Sequence, residues 1–138
     1  MPSANEKLKT LLERDRETKI TVTGRKSGKP ISRPVWFALE ADKLYLLPVQ
    51  GSDTQWYKNL QLNGWIQIST RTASAEFRAT PVSDPGMVSS VVDKFREKYG
   101  ARDVKKYYSK FDVAIVVDLS DGGAGTSNRA NKSKLAPA

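Results

Sequence analysis

The chain has 138 residues, 38% of them apolar, and a net charge of +8. This is enough for one domain with a real core, and the positive balance points to an anionic partner. The absence of cysteine and histidine excludes disulfides, Cys/His metal sites and a Ser-His-Asp triad, so any catalysis rests on carboxylates, Lys, Tyr, Ser/Thr or a borrowed cofactor.

Ser3 and Glu6 have the spacing of a capping box, and Leu8, Leu11 and Leu12 follow at helical spacing, which predicts a helix over 4–15 with one apolar stripe. It is expected to plug one end of a barrel. Residues 19–23 alternate polar and β-branched side chains, as a strand does. The turn from Gly24 to Pro30 breaks that strand, and 31–39 resumes it with Val35, Trp36 and Phe37. A polar hairpin at 40–43 leads to a strand over 44–47, which Pro48 stops. Asp53 or Thr54 can cap a short helix through Leu60. Residues 65–70 and 75–82 form a second hairpin across a polar turn. Asp84-Pro85 opens a helix with Val88, Val91, Val92 and Phe95 as its buried stripe, and Gly100 ends it. A short basic helix is expected over 101–108. The apolar run Val113–Val117 reads as a strand buried on both faces. After Asp121 the composition turns to Gly, Ser, Asn, Lys and Ala, so 1–121 is expected to be the single domain and 122–138 a flexible tail. Consecutive short strands without βαβ spacing imply a mainly β (α+β) fold, a six-stranded antiparallel barrel with flanking helices. No apolar run approaches the roughly 20 residues of a membrane helix, and residues 1–6 carry no signal-peptide region, so a cytoplasmic protein without a transmembrane segment is expected.

The chemistry is expected around 21–59. Arg25, Lys26 and Ser27 lie between Gly24 and Gly28, where glycine lets successive amides converge and the cations and hydroxyl suit a phosphate; simple solvation of these cations is the alternative. Arg33 follows two residues after Ile31 and shares its strand face. The amides of Pro48-Val49-Gln50-Gly51-Ser52 offer themselves to the edge of a planar heterocycle. Trp56 and Tyr57 are neighbours on a helix and so point different ways, one into the core and one free to stack or present a hydroxyl. Asn59 bonds a nearby backbone group.

Gly24-Arg25-Lys26-Ser27-Gly28, Pro34-Val35-Trp36-Phe37, Gly51-Ser52 and Trp56-Tyr57-Lys58-Asn59-Leu60, in that order, resemble the deazaflavin-dependent nitroreductase family, within the flavin-binding split-barrel superfamily that includes the pyridoxamine-phosphate oxidases. The resemblance covers residues 21–63 well and 75–119 by element order. It implies a split barrel, a homodimer, and coenzyme F-420 or FMN in a groove. The phosphate role then falls on Arg25, Lys26 and Ser27, the ring edge on Pro48, Val49, Gln50 and Gly51, and the groove wall on Trp56, Tyr57 and Asn59. The cofactor would pass hydride to a small-molecule electron acceptor such as a quinone, enone or nitroaromatic, with Tyr57 or Ser52 as proton donor and no metal. The chain departs from the family at Ile31, where an arginine is common and for which Arg33 would have to substitute, and at Gln50, where a lysine is common. Both departures leave deazaflavin and FMN open. A basic barrel binding nucleic acid is the reading from another class; the cations are spread along the chain and no strand interleaves them with aromatics, so no nucleic acid is expected.

Overall fold

The computed structural model describes residues 4–120. Ser3 of the expected capping box and the 122–138 tail lie outside the described residues. Helix α1 (Ala4–Leu12) is shorter than expected. Beyond it, Asp15 serves another purpose: its carboxylate accepts from the Thr70 hydroxyl and, at 2.8 Å, from the Arg71 guanidinium. Leu8 and Leu12 are fully buried, and the helix packs on the second hairpin as a plug.

Among the described residues seven strands form one antiparallel sheet, in place of the expected six. They are β1 (Thr18–Thr23), β2 (Pro30–Val35), β3 (Ala38–Glu40), β4 (Lys43–Leu46), β5 (Trp65–Thr70), β6 (Ala73–Val82) and β7 (Ala114–Asp118). The extra strand arises because the run expected over 31–39 divides at Trp36-Phe37. Its first part pairs with β1 and its second with β4. The cause is remote in sequence. Tyr99 stacks on Trp36 with centroids 4.2 Å apart, and its hydroxyl accepts the Phe37 N–H at 3.1 Å. That hydroxyl also touches the carbonyls of Arg16 and Phe37, at 2.6 and 2.9 Å. A peptide bonded this way cannot also join a ladder.

The sheet order is β2-β1-β5-β6-β7-β4-β3. Its two edge strands are therefore neighbours in the chain, joined through Trp36 and Phe37. A flat sheet would hold them some 30 Å apart at about 4.8 Å per strand, so the sheet must curl until its edges meet at this bend. The result is the split barrel. Strand alternation sends Ile20, Val22, Ile66, Ile68, Phe77, Ile115 and Val117 inside, with Phe37, Leu44 and Leu46.

Helix α3 (Pro85–Tyr99) is capped by Asp84, whose carboxylate accepts the Met87 amide at 3.0 Å. Together with α4 (Ala101–Tyr107) it covers the outside of β7-β4-β3. A second core lies there, made of Val88, Val91, Val92, Phe95 and Tyr99 against Ala38, Leu47 and Ala114. So β7 has one face in each core, as its unbroken apolar run requires. Among the described residues no helix covers the outer face of β2-β1-β5-β6, and its outward residues are mostly polar. None of the described helices is long and apolar enough to cross a membrane.

Candidate functional site

Helix α2 (Gln55–Leu62) follows a short 3-10 turn over Gly51–Asp53 and lies against β1 and β6. Its inner face buries Trp56, Tyr57, Asn59 and Leu60. Asn59, 4% exposed, would be costly there without partners. Its Oδ1 accepts both the backbone N–H of Arg25, at 3.1 Å, and the Arg25 guanidinium, at 2.8 Å. A further guanidinium N–H goes to Gln55 Oε1 at 2.8 Å. The basic turn and the Trp-Tyr-x-Asn helix, distant in sequence, are thus one bonded unit.

The turn is drawn tight by Gly24 N–H to the Lys29 carbonyl and Gly28 N–H to the Gly24 carbonyl, both at 2.8 Å. Ser27 Oγ accepts the Lys29 amide at 3.2 Å. Gly28 has φ +72°, and a Cβ there would meet nothing within 4 Å. Lys26, Ser27 and Lys29 are exposed. This donor set fits a phosphate, since two flexible ammonium groups and a hydroxyl stand beside a glycine that leaves the approach open. Arg25 is half-buried and committed to α2, so it positions the turn more than it presents charge.

Arg33 is not brought to this turn. It pairs with Ile20, three residues down β1 from Thr23, roughly 10 Å away at about 3.3 Å per residue. There it lines an open depression of about 280 Å³ with Lys19 and Arg71. Ile31, at the position where the resembled family carries arginine, packs its Cδ1 against Gly24.

The second glycine loop corrects an expectation. Its amides bond within the protein and leave none of those expected for a heterocycle edge at Gln50, Gly51 or Ser52. Gln50 N–H donates to Thr54 Oγ1 at 2.8 Å. Gly51 N–H goes to the Pro48 carbonyl at 3.0 Å. Ser52 N–H goes to Asp112 Oδ1 at 2.9 Å, and the Ser52 hydroxyl donates to Asp112 Oδ2 at 2.6 Å. The Val49 carbonyl accepts the Ser109 amide at 2.9 Å. Gly51, at φ +55°, has no room for a Cβ, which would collide with Asp112 and Lys110. Pro48 is buried, while Val49 and Gln50 stay exposed.

Asp112 is the residue that sequence reasoning missed. Burial works to raise its pKa, but the Ser52 hydroxyl and amide and the Lys110 ammonium outweigh it and hold the carboxyl below the usual carboxylate range. Lys110 bridges to Asp53 at 3.2 Å and to Asp112 at 3.7 Å. It sits beside Gln50 in an isolated parallel bridge, so a cation stands where Gln50 supplies none, already paired with carboxylates.

Neither aromatic of α2 is free. Trp56 is 8% and Tyr57 3% exposed, both in the barrel core, against the expectation that one would stack on a ring. Burial, and then the nearby Asp112 carboxylate, push the Tyr57 hydroxyl above its usual pKa. Among the described residues, no group of acidic side chains is placed to hold a metal.

Residues 9–117 match the family model described as uncharacterized protein conserved in bacteria (DUF2255). No curated protein matches. Solved structures of similar shape include an F420-H2 dependent reductase, with 19% identity, TM-score 0.58, and 74% of this chain and 93% of that one covered. A protein described as a domain-swapped dimer has 19% identity and TM-score 0.59 over 74% and 79%. The heme storage protein HutZ from Vibrio cholerae has 12% identity and TM-score 0.61 over 81% and 87%. At these identities the likeness carries the fold alone.

Proposed function

The chain belongs to the DUF2255 family of proteins conserved in bacteria, and on that footing we propose that it is an oxidoreductase holding reduced deazaflavin coenzyme F-420, with FMN as the alternative occupant. The cofactor would supply the hydride that reduces a small quinone, enone or nitroaromatic acceptor. The observation that carries this reading is the Asn59–Arg25 joint, which fixes the basic turn to α2 and leaves Lys26, Ser27 and Lys29 exposed on one tight loop.

In this reading Lys26, Lys29 and Ser27 grip the cofactor phosphate, and Arg25 keeps the turn in place. Arg33 binds a more distant anionic portion, if the ligand has one. Neither candidate proton donor is free: the half-buried Ser52 gives its hydroxyl proton to Asp112 and Tyr57 is sealed in the core, so in this reading the proton comes from solvent. The chain works as a homodimer in the cytoplasm. A fold relative that stores heme raises a different cofactor; this chain offers haem iron neither imidazole nor thiolate and leaves only tyrosine or methionine as ligands.

The test is a titration of the purified protein with the deazaflavin coenzyme and separately with FMN, followed by absorbance, and repeated with Lys26→Ala/Lys29→Ala. Charge-assisted bonds contribute about 1.5–3 kcal/mol each, so the double change weakens binding at least ten-fold. Unchanged affinity removes the phosphate assignment. Preference for FMN moves the protein to the flavin branch.

A further inference from the structure

With Trp56 and Tyr57 buried, the proposed site lacks a ring platform on α2. An exposed aromatic, Trp65, stands on β5, the strand that flanks β1 on the side away from β2. Val22 pairs with Ile66 across β1 and β5, so the next residues outward, Thr23 and Trp65, lie side by side where β1 enters the basic turn. Thr23 also faces Pro30 on β2, and Trp65 faces Arg78 on β6. Directly opposed residues of antiparallel strands share a face, so Pro30, Thr23, Trp65 and Arg78 form one row on the outer face, at the end of the sheet that carries the turn.

Trp65 is 46% exposed. The next outward residues of its own strand, Gln67 and Ser69, are polar, so the indole interrupts a hydrophilic face. The Arg78 guanidinium lies 5.3 Å from its ring centroid. A cation over an indole is a planar, positively charged surface. Lys26 and Lys29 are exposed on the turn that begins one residue beyond Thr23.

We propose that Trp65 and Arg78 form a ring-stacking subsite which, together with Lys26 and Lys29, takes a planar heteroaromatic ligand carrying a phosphate. This rests on reading the turn as the phosphate site, and it assigns the ring of that ligand to the outer sheet face in place of α2. The ring stacks on the indole–guanidinium surface while the two ammonium groups neutralise the phosphate.

The probe is FMN, followed by tryptophan quenching and by absorbance. Inorganic pyrophosphate as competitor reports the turn alone. Trp65→Leu is expected to weaken FMN binding about 5- to 150-fold, the range for loss of one aromatic stack, and to leave pyrophosphate competition unchanged. Trp65→Phe keeps most of the affinity. Lys26→Ala/Lys29→Ala weakens both probes. Wild-type affinity in Trp65→Leu overturns the subsite and leaves the turn assignment standing. Wild-type affinity in the lysine pair overturns the phosphate reading and the proposal with it. Trp65, Lys26 and Lys29 are exposed, so their variants keep the fold, which far-UV circular dichroism checks. If Trp65→Leu instead turns a dimer into a monomer with FMN affinity intact, the indole is a contact between copies and the subsite is overturned.

Discussion

Gly28 and Gly51 sit in two loops of different composition, one basic and one uncharged, yet both have positive φ, +72° and +55°. Around Gly28 there is open space. Around Gly51 the Asp112 carboxylate and the Lys110 stem fill the volume a Cβ would occupy. The first loop is bonded at its base through Arg25 and presents Lys26 and Lys29 outward. The second turns its amides inward and is latched by a residue some 60 positions later. Open surroundings at one glycine and crowding at the other separate a loop that can receive a ligand from one that has already been given an internal partner.

The largest effect expected is that of Gly51→Ala, which adds left-handed backbone strain to a collision with Asp112 and costs about 3 kcal/mol; urea denaturation measures it. A cost equal to that of Gly28→Ala would erase the contrast between the loops. Next, Asn59→Leu removes the acceptor for two Arg25 donors and costs about 2 kcal/mol. It also frees the turn, so hydrogen exchange at the Arg25 amide accelerates while that at Ser52 does not. Asp112→Ala reverses this pattern: about 1 kcal/mol is lost, and exchange rises at Ser52 but not at Gly28. Equal responses at both amides would mean that the loops are coupled.

Acid separates the two loops in a similar way. The folded pKa of Asp112 lies below its ordinary value, so the unfolded chain takes up the proton first. The stability it contributes is present above the usual carboxylate range and is lost as pH falls through the folded pKa. The Gly24–Pro30 turn contains no carboxylate, so exchange at Ser52 should rise on acidification below about pH 4 before exchange at Gly28 does. Asp118, held down at about 2 by its bonds to Lys43 and Ser120, steepens the global loss of stability in the same window and is subtracted with Asp118→Asn. Smallest is Gly28→Ala, at about 1 kcal/mol from the positive φ alone, read as a shift in denaturation midpoint.

Local signals made much of this fold legible. Asp84-Pro85 marks a helix start because the cap and the proline act within one turn, and the Val88–Phe95 stripe and the Val113–Val117 run report burial directly. The turn and α2 could each be recognised from their own residues. What stayed hidden depends on partners far along the chain. Trp36 and Phe37 are good strand residues, and nothing near them marks a bend, which Tyr99 imposes from 62 positions away. The Ser52 amide looks available until Asp112, 60 positions later, is in place. Trp56 and Tyr57 gave no sign that both would be buried. Trp65 could have been singled out, because a large aromatic alternating with Gln67 and Ser69 on one strand face has no core to enter.

The position of β7 between β6 and β4 also governs how the chain can be assembled during synthesis. Strands β2, β1, β5 and β6 can pair as soon as residue 82 has emerged, and β3 and β4 form a hairpin of their own. Neither group has its partner until residues 114–118 arrive, so β6 and β4 each present an unpaired edge through the making of α3 and α4. A chain ending short of Val113 would keep both edges and the apolar faces that β7 covers, the combination that draws chains into aggregates. The strand made last among these seven is the one that joins the two groups of strands into a single sheet.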